Sequence, residues 1–278
     1  MSYFKTQINL MLKRTSFKVS LSAMCLGSVL FFIINCIQEY GKLSFNVHAA
    51  KYMFLCGGLP SIINFIFSII FPLVVVIPFS DTFFEERKNK TVEFCLIRYN
   101  NSAYYFSKLL AVFFSGFIII FIPFVLNYLL NFIAFPLDSS IDYTNISISN
   151  SGVYSTGINT LVLFKNLFAK NMYIYNFLHI LLMSVTGAFM AVIVYQFSFF
   201  YKSSRIILLC SFFVIYQLYN IALSGTGLNS FCIINYMLPS SFFTGQSILG
   251  LALTYTLLIL TAILPIPFAK RKLREIYG

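Results

Sequence analysis

The sequence predicts an all-α polytopic membrane protein with six transmembrane helices, and three observations support this prediction. Of the 278 residues, 59% are apolar and only 10% are charged, whereas soluble globular proteins carry about 25% charged residues. Uncharged apolar runs recur along the chain, each at least as long as the roughly 20 residues that a membrane-spanning helix requires. The 19 lysine and arginine residues lie between those runs rather than within them.

The spans follow from the uncharged runs in chain order. The last run, residues 206–269, is long enough for two spans joined by a Gly/Ser/Asn-rich middle. The predicted transmembrane helices lie at about residues 18–38, 59–79, 109–134, 177–200, 206–224 and 247–269. Together they make residues 1–278 a single transmembrane domain.

Three further segments complete the prediction. Residues 3–14 place Phe4, Ile8, Met11 and Leu12 at helical spacing, which predicts a helix lying in the membrane interface. A polar extension of the first span is the alternative. Residues 136–176 form a loop on the outer side, because their core is too rich in Ser, Thr, Asn and Gly to span a bilayer. Residues 80–108 form a cytoplasmic segment.

Basic residues fix the orientation, since cytoplasmic loops are enriched in lysine and arginine. With both termini in the cytoplasm, 15 of the 19 basic residues lie inside and only Lys42, Lys51, Lys165 and Lys170 lie outside. The net charge of +11 therefore indicates membrane topology, and we expect a multi-pass protein of the cell membrane. Nucleic-acid binding is not expected, because no basic patch with interleaved aromatic residues lies away from the membrane flanks.

The cytoplasmic segment 80–108 is the most highly charged part of the chain. It contains four of the eight acidic residues, Asp81, Glu85, Glu86 and Glu93. Thr82 with Glu85 fits a helix capping box, and Thr91 is placed to begin a second helix. That helix would carry Val92, Cys95, Leu96 and Tyr99 on one face. The pattern is typical of a protein-docking element; a solvated loop that only connects two spans is the alternative.

The run E-R-K-N-K-T-V-E-F-C-L-I-R at 86–98, followed by S-K-L-L-A at 107–111, resembles the cytoplasmic signature of ABC type-2 transporter permeases. The family has an acidic residue, a Gly-Thr pair, a Glu, a Leu pair and a later Lys-Leu-Leu. The matching positions are Glu86, Thr91, Glu93, Leu96 with Ile97, and Lys108-Leu109-Leu110. Lys90 stands where glycine is usual and Tyr99 where proline is frequent, which leaves the turn geometry open.

The resemblance implies a function and a set of partners. The chain would be a permease subunit that pairs with a second copy or a related permease, and with cytoplasmic ABC ATPases. ATP and Mg would bind in those ATPases, and this chain would hold no cofactor. The cargo would be exported and hydrophobic or amphiphilic, such as a peptide, drug or lipid. The ATPase-coupling residues implied are Glu85, Glu86, Arg87, Thr91, Glu93, Leu96, Ile97 and Arg98. Short re-entrant helices are implied around Leu238-Pro239.

The distribution of ionisable residues favours the same function independently. Ion-coupled carriers usually place a charged residue inside the membrane, and no Asp, Glu, Lys or Arg lies in the core of a predicted span. His179 is the only titratable candidate there. The chain also lacks the G-x-x-x-x-G-K-[ST] phosphate loop. Any energy for uphill transport would therefore come from a partner subunit.

Two other classes of function remain as alternatives. An ion-coupled secondary carrier or a channel is the first. An intramembrane enzyme is less favoured, since Glu85-Glu86 and His179 are predicted near opposite membrane faces and could not meet to activate water. We therefore predict no catalytic residue and no metal site. Cys56 and Cys232 both fall on the outer side, so a disulfide between them stays open.

Overall fold

The computed structural model describes residues 2–42, 47–54, 62–138, 163–201, 204–237 and 247–277. Every regular element within these residues is a helix. The α-helices are α1 (Ser2–Lys13), α2 (Thr15–Glu39), α3 (Ile62–Val76), α4 (Thr82–Lys88), α5 (Thr91–Arg98), α6 (Asn101–Ala134), α7 (Lys165–Lys170), α8 (Met172–Phe197), α9 (Arg205–Gly225), α10 (Ile233–Met237), α11 (Ile248–Ile263) and α12 (Ile266–Tyr277). Short 3-10 turns occupy Ala50–Tyr52 and Asn229–Phe231.

Five helical segments in the described part of the chain are long and apolar enough to cross a membrane. They are α2, α6, α8, α9 and the segment Ile248–Leu273, which comprises α11 and continues into α12. The predicted all-helical, multi-pass character is thus confirmed. The predicted second span corresponds to α3, which has 15 residues and is about 22 Å long, shorter than the roughly 30 Å of a bilayer core. The sixth span therefore stays a prediction.

Successive long helices run in opposite directions, so the bundle has two ends. The terminal end contains the α1–α2 junction, α4, α5, the start of α6 and the start of α9. The distal end contains the end of α2, the end of α6 and the start of α8. At the terminal end, the rings of Phe83 and Phe199 stack 3.8 Å apart. At the distal end, the Tyr128 hydroxyl donates to the Tyr173 carbonyl at 2.8 Å.

The centre of the bundle is the crossing of α6 and α8, where small residues let the two backbones approach closely. A Cβ added at Gly116 would lie 2.8 Å from the Gly187 carbonyl oxygen and 3.0 Å from Ala191 Cβ. A Cβ added at Gly187 would lie 2.9 Å from Val75 Cγ1 in α3. Glycine is required at this crossing because any side chain would push α6 and α8 apart.

Asparagine or serine residues cap the N-termini of four helices. The side chain of Asn100 accepts from a backbone N–H in the first turn of α6, Asn171 does so in α8, Ser204 in α9 and Ser247 in α11. These caps satisfy N–H groups that have no partner within the helix. As a result α6 and α8 begin before the apolar runs, and residues 172–176 of the predicted outer loop are helical. Residues 139–162 and Leu238-Pro239 lie outside the described residues.

Residues Ser2–Lys13 are helical, and the residues that this helix buries within the bundle coincide only in part with the apolar face of the sequence. Tyr3, Gln7 and Met11, at four-residue spacing, are buried. Leu12 is largely exposed instead. The ring of Tyr3 lies 4.0 Å from that of Tyr99. Met11 is therefore the one residue of the sequence's apolar set that is fully buried within the bundle, because α1 packs against the polar start of α6. The position of α1 in the membrane interface stays a prediction.

Candidate functional site

The charged segment between α3 and α6 folds into a helical hairpin made of α4 and α5. Asp81, rather than Thr82, occupies the N-cap of α4, so the predicted Thr82–Glu85 capping box is wrong. Thr91 begins α5 as predicted, and its hydroxyl donates to the Glu86 carbonyl at 3.2 Å. Lys90, between the helices, has a left-handed backbone with φ 54°. Glycine adopts that conformation at lower cost than lysine.

A cluster of two acids and two arginines connects this hairpin to the rest of the bundle. Arg14 Nη2 lies 2.8 Å from Asp81 Oδ1 and 2.7 Å from Glu85 Oε1. Arg205 contacts Asp81 through Nε and lies 3.0 Å from Glu85 through Nη1. We call these four residues the arginine cluster. It joins the α1–α2 junction, the α3–α4 turn and the start of α9, three segments far apart in sequence.

Asp81 is the most buried member of the arginine cluster, with no exposed side-chain surface. Burial raises the pKa of this carboxyl, and the guanidinium groups of Arg14 and Arg205 oppose that rise. A carboxylate withdrawn from water in this way depends on its partners, since an unpaired buried charge is strongly unfavourable. The ion pairs of Asp81 therefore hold a fixed geometry, whereas Glu85, with its side chain 42% exposed, is the surface member of the arginine cluster.

A second cluster ties α4 to α6. The Tyr104 hydroxyl donates to Glu86 Oε2 at 2.7 Å, and Lys108 Nζ donates to the Tyr104 oxygen at 2.9 Å. Lys108 also forms an ion pair with Glu86 and is fully buried. We call this set the lysine cluster. Through it, a movement of α4 would be transmitted directly to the first turns of α6.

The structure divides the predicted coupling residues into two sets. Glu85, Glu86 and Leu96 face the bundle: the two acids join the clusters, and Leu96 packs against the core. On the outer face of α5, Ile97 is 82% and Phe94 68% exposed. The remaining outward-facing members are Thr91 and Glu93, both exposed. Arg87 lies at a cavity beside α9, and the side chain of Arg98 is outside the described residues.

Sequence reasoning missed Asp81, Arg14, Arg205 and Tyr104 as parts of this site. Arg14 and Arg205 entered only as orientation charges, and Asp81 only as one acid of a charged segment. The sequence contained a signal, however, because five of the eight acidic residues lie at the predicted membrane face where the basic residues concentrate. Opposite charges confined to one face are expected to pair where the helix ends converge.

The remaining candidate residues are dispersed. His179 is buried in α8 near the distal end, with its ring 4.6 Å from that of Tyr175, whereas Glu85 lies at the terminal end. Among the described residues, no group of three His, Cys, Asp or Glu side chains could hold a metal ion. The Sγ of Cys232 lies 3.7 Å from the Asn220 carbonyl oxygen, while Cys56 is outside the described residues.

Comparison of the chain with models of known protein families, with curated proteins and with solved structures finds no match. The functional argument therefore depends on the site itself. An amphipathic hairpin with an exposed apolar outer face, held by buried ion pairs to several spanning helices, can bind a partner and transmit its movement into the bundle.

Proposed function

We propose that this chain is the membrane-spanning permease subunit of an ABC exporter. In this proposal the six spans cross the cell membrane with both termini in the cytoplasm, and α1 lies in the cytoplasmic interface. The hairpin α4–α5 is the coupling element that receives the ATPase. ATP and Mg bind in that separate ATPase subunit, and a second permease, identical or related, completes the transport path.

The observation that carries the proposal is the outer face of α5. Phe94 and Ile97 expose two large apolar side chains beside the acidic Glu93, at the bundle end where basic residues concentrate. The helix α5 lies outside the apolar part of the long helices, so contact with lipid tails does not explain its exposed apolar groups. Apolar anchors with a charged rim are typical of protein-binding surfaces.

The two clusters supply a mechanism for coupling. A partner that displaces α5 also displaces α4, because two residues separate the helices and Thr91 bonds to Glu86. The lysine cluster then carries the movement to α6, and the arginine cluster carries it to α2 and α9. Nucleotide-driven closure of two ATPases would in this way reorient three spanning helices without any ion bound inside the membrane.

The cargo proposed is hydrophobic or amphiphilic. No Asp, Glu, Lys or Arg lies in the middle of the long helices. A path with this chemistry fits a peptide, drug or lipid better than a small ion.

The test is capture of an ATPase on the outer face of α5. The full chain and the Ile97→Asp variant are each isolated from their native membrane in mild detergent, and co-purifying Walker-motif ATPase is quantified by mass spectrometry. We expect Ile97→Asp to reduce ATPase recovery at least tenfold, since a central apolar anchor of an interface is worth about 2 kcal/mol or more. Its thermal unfolding should stay unchanged, because Ile97 contacts little of the bundle.

Tyr40→Asp is the matched control. Tyr40 is 90% exposed at the distal end, so the variant adds the same charge at an equally accessible site on the other face. It should retain the ATPase. Equal recovery with Ile97→Asp and the parent chain would contradict the proposed docking face. Transport that persists without any ATPase and collapses with a protonophore would instead establish the ion-coupled carrier.

A further inference from the structure

We propose that the terminal end carries a binding site for the phosphate headgroup of an anionic membrane lipid. The site is a cavity of about 580 Å³ between α4, Tyr201 and the start of α9. This volume lies within the roughly 300–1,000 Å³ of small-ligand sites. The inference requires only that the chain spans a membrane, and it does not depend on the ABC proposal.

The cavity is lined by three cationic side chains, Arg87, Lys88 and Arg205. Neighbouring acids do not neutralise all three. Arg205 is held by Asp81 and Glu85 in the arginine cluster, and Glu86 is held by Lys108. Among the described residues, neither Arg87 nor Lys88 forms an ion pair. The cavity therefore has an excess of positive charge.

Arg87 is the cavity residue best suited to contact an anion. Its side chain lines the cavity, and among the described residues it forms no ion pair. Arginine recognises phosphate through paired N–H groups.

The start of α9 adds a second source of positive potential. Ser204 and Arg205, which begin this 21-residue helix, both line the cavity. The Ser204 side chain accepts from the Ile207 N–H at 3.3 Å, so the helix has a defined N-terminus at this point. Backbone N–H groups and the helix dipole favour anions there.

The other wall of the cavity points to a lipid rather than a soluble phosphate. Phe84, Tyr201 and Ile206 line it, and Ile206 is 71% exposed. Ile206 is in the first turn of a spanning helix, so its exposed surface faces the acyl region of a bilayer. A ligand with an anionic head and an apolar tail would contact both walls at once. Basic and aromatic residues at the membrane boundary suit that position.

The experiment measures lipid retention by the full chain. The protein is exchanged into micelles that contain equal amounts of phosphatidylglycerol and phosphatidylcholine, and bound lipid is counted by native mass spectrometry over a range of lipid concentrations. We expect one tightly retained phosphatidylglycerol in the parent chain. The double variant Arg87→Gln/Lys88→Gln should weaken its retention about 25-fold, because each basic residue contributes about fivefold near an anionic lipid.

Lys5→Gln/Lys13→Gln is the matched control. Both lysines are exposed on α1 at the same end, so the variant removes the same charge away from the cavity and should retain the lipid. Arg87→Lys/Lys88→Arg keeps the charge and should also retain it. Equal loss in the α1 control, or equal retention of phosphatidylcholine, would overturn the site.

Two further measurements complete the test. Glycerol 3-phosphate should not displace phosphatidylglycerol at comparable concentration; if it does, the ligand is a soluble phosphate and the lipid assignment is wrong. A photoreactive phosphatidylglycerol should label residues 84–88 or 204–206 of the unsubstituted chain, which tests the site even if the double variant does not fold. Labelling confined to other residues would overturn it.

Discussion

Different interactions stabilise the two ends of the helix bundle. At the terminal end, ion pairs join residues as distant in sequence as Arg14 and Asp81, or Glu85 and Arg205, and Asp81 is fully buried. At the distal end, two long-range hydrogen bonds between described residues are neutral: Asn35 donates to the Met53 carbonyl at 2.8 Å, and Asn176 donates to the Lys51 carbonyl at 2.9 Å. The described ion pairs of the distal end, between Glu39 and its neighbours Lys42 and His48, are local.

In the proposed mechanism, the terminal end transmits movement and the distal end supports the bundle. A neutral amide–carbonyl bond contributes about 1 kcal/mol net, and its loss leaves the neighbouring helices in place. A buried ion pair holds its geometry more strictly, because breaking it leaves a buried charge without a partner. The helices that meet α4 are therefore constrained to move with it, whereas the distal end serves to keep the helix ends packed.

The largest expected effect is at Asp81. Asp81→Asn keeps the shape of the side chain but leaves Arg14 and Arg205 short of one buried partner. We expect a loss of about 3–5 kcal/mol in the free energy of unfolding, measured by SDS titration in mixed micelles. Glu85→Gln is the control: it contacts the same two arginines, but its side chain is 42% exposed, so the loss should stay below about 1 kcal/mol. Equal losses would show that burial does not distinguish the two acids.

An intermediate effect is expected at the crossing between the two ends. Gly116→Ala places a Cβ 2.8 Å from the Gly187 carbonyl oxygen, so α6 and α8 must separate. The expected loss is about 1–3 kcal/mol in the same titration. Gly27→Ala in α2 is the matched control, because a Cβ there meets no atom within 4 Å, and it should be neutral or slightly stabilising. A neutral Gly116→Ala would mean that the crossing is looser than described.

The smallest effect is expected at the distal end. Asn35→Ala removes the bond to the Met53 carbonyl, which should lower the free energy of unfolding by about 1 kcal/mol. Gln38→Ala, at an exposed position in the same helix, should have no measurable effect. If Asn35→Ala instead cost as much as Asp81→Asn, the contrast between a neutral end and a charged end would not hold.

Much of the architecture was predictable because it follows from hydrophobicity alone. Runs of about 20 apolar residues have few alternatives to a spanning helix, and five of the six were found. The start of α5 at Thr91 was predictable from its local pattern as well. The buried face of α1 was not predictable, because helical periodicity identifies the apolar residues of a helix but not the element that packs against it. Since α1 packs against the polar start of α6, its buried residues are Tyr3, Gln7 and Met11.

The location of the candidate site was predictable from the sequence, but the contacts among its residues were not. The sequence by itself determined that charge concentrates between the second and third predicted spans, and that basic residues gather on one membrane face. Only the tertiary structure decided that Glu85 and Glu86 turn inward to Arg14, Arg205 and Lys108, while Phe94 and Ile97 face outward. Charge content depends on composition, which is local; ion pairing depends on which helix ends converge, and that is set by packing between segments more than 100 residues apart.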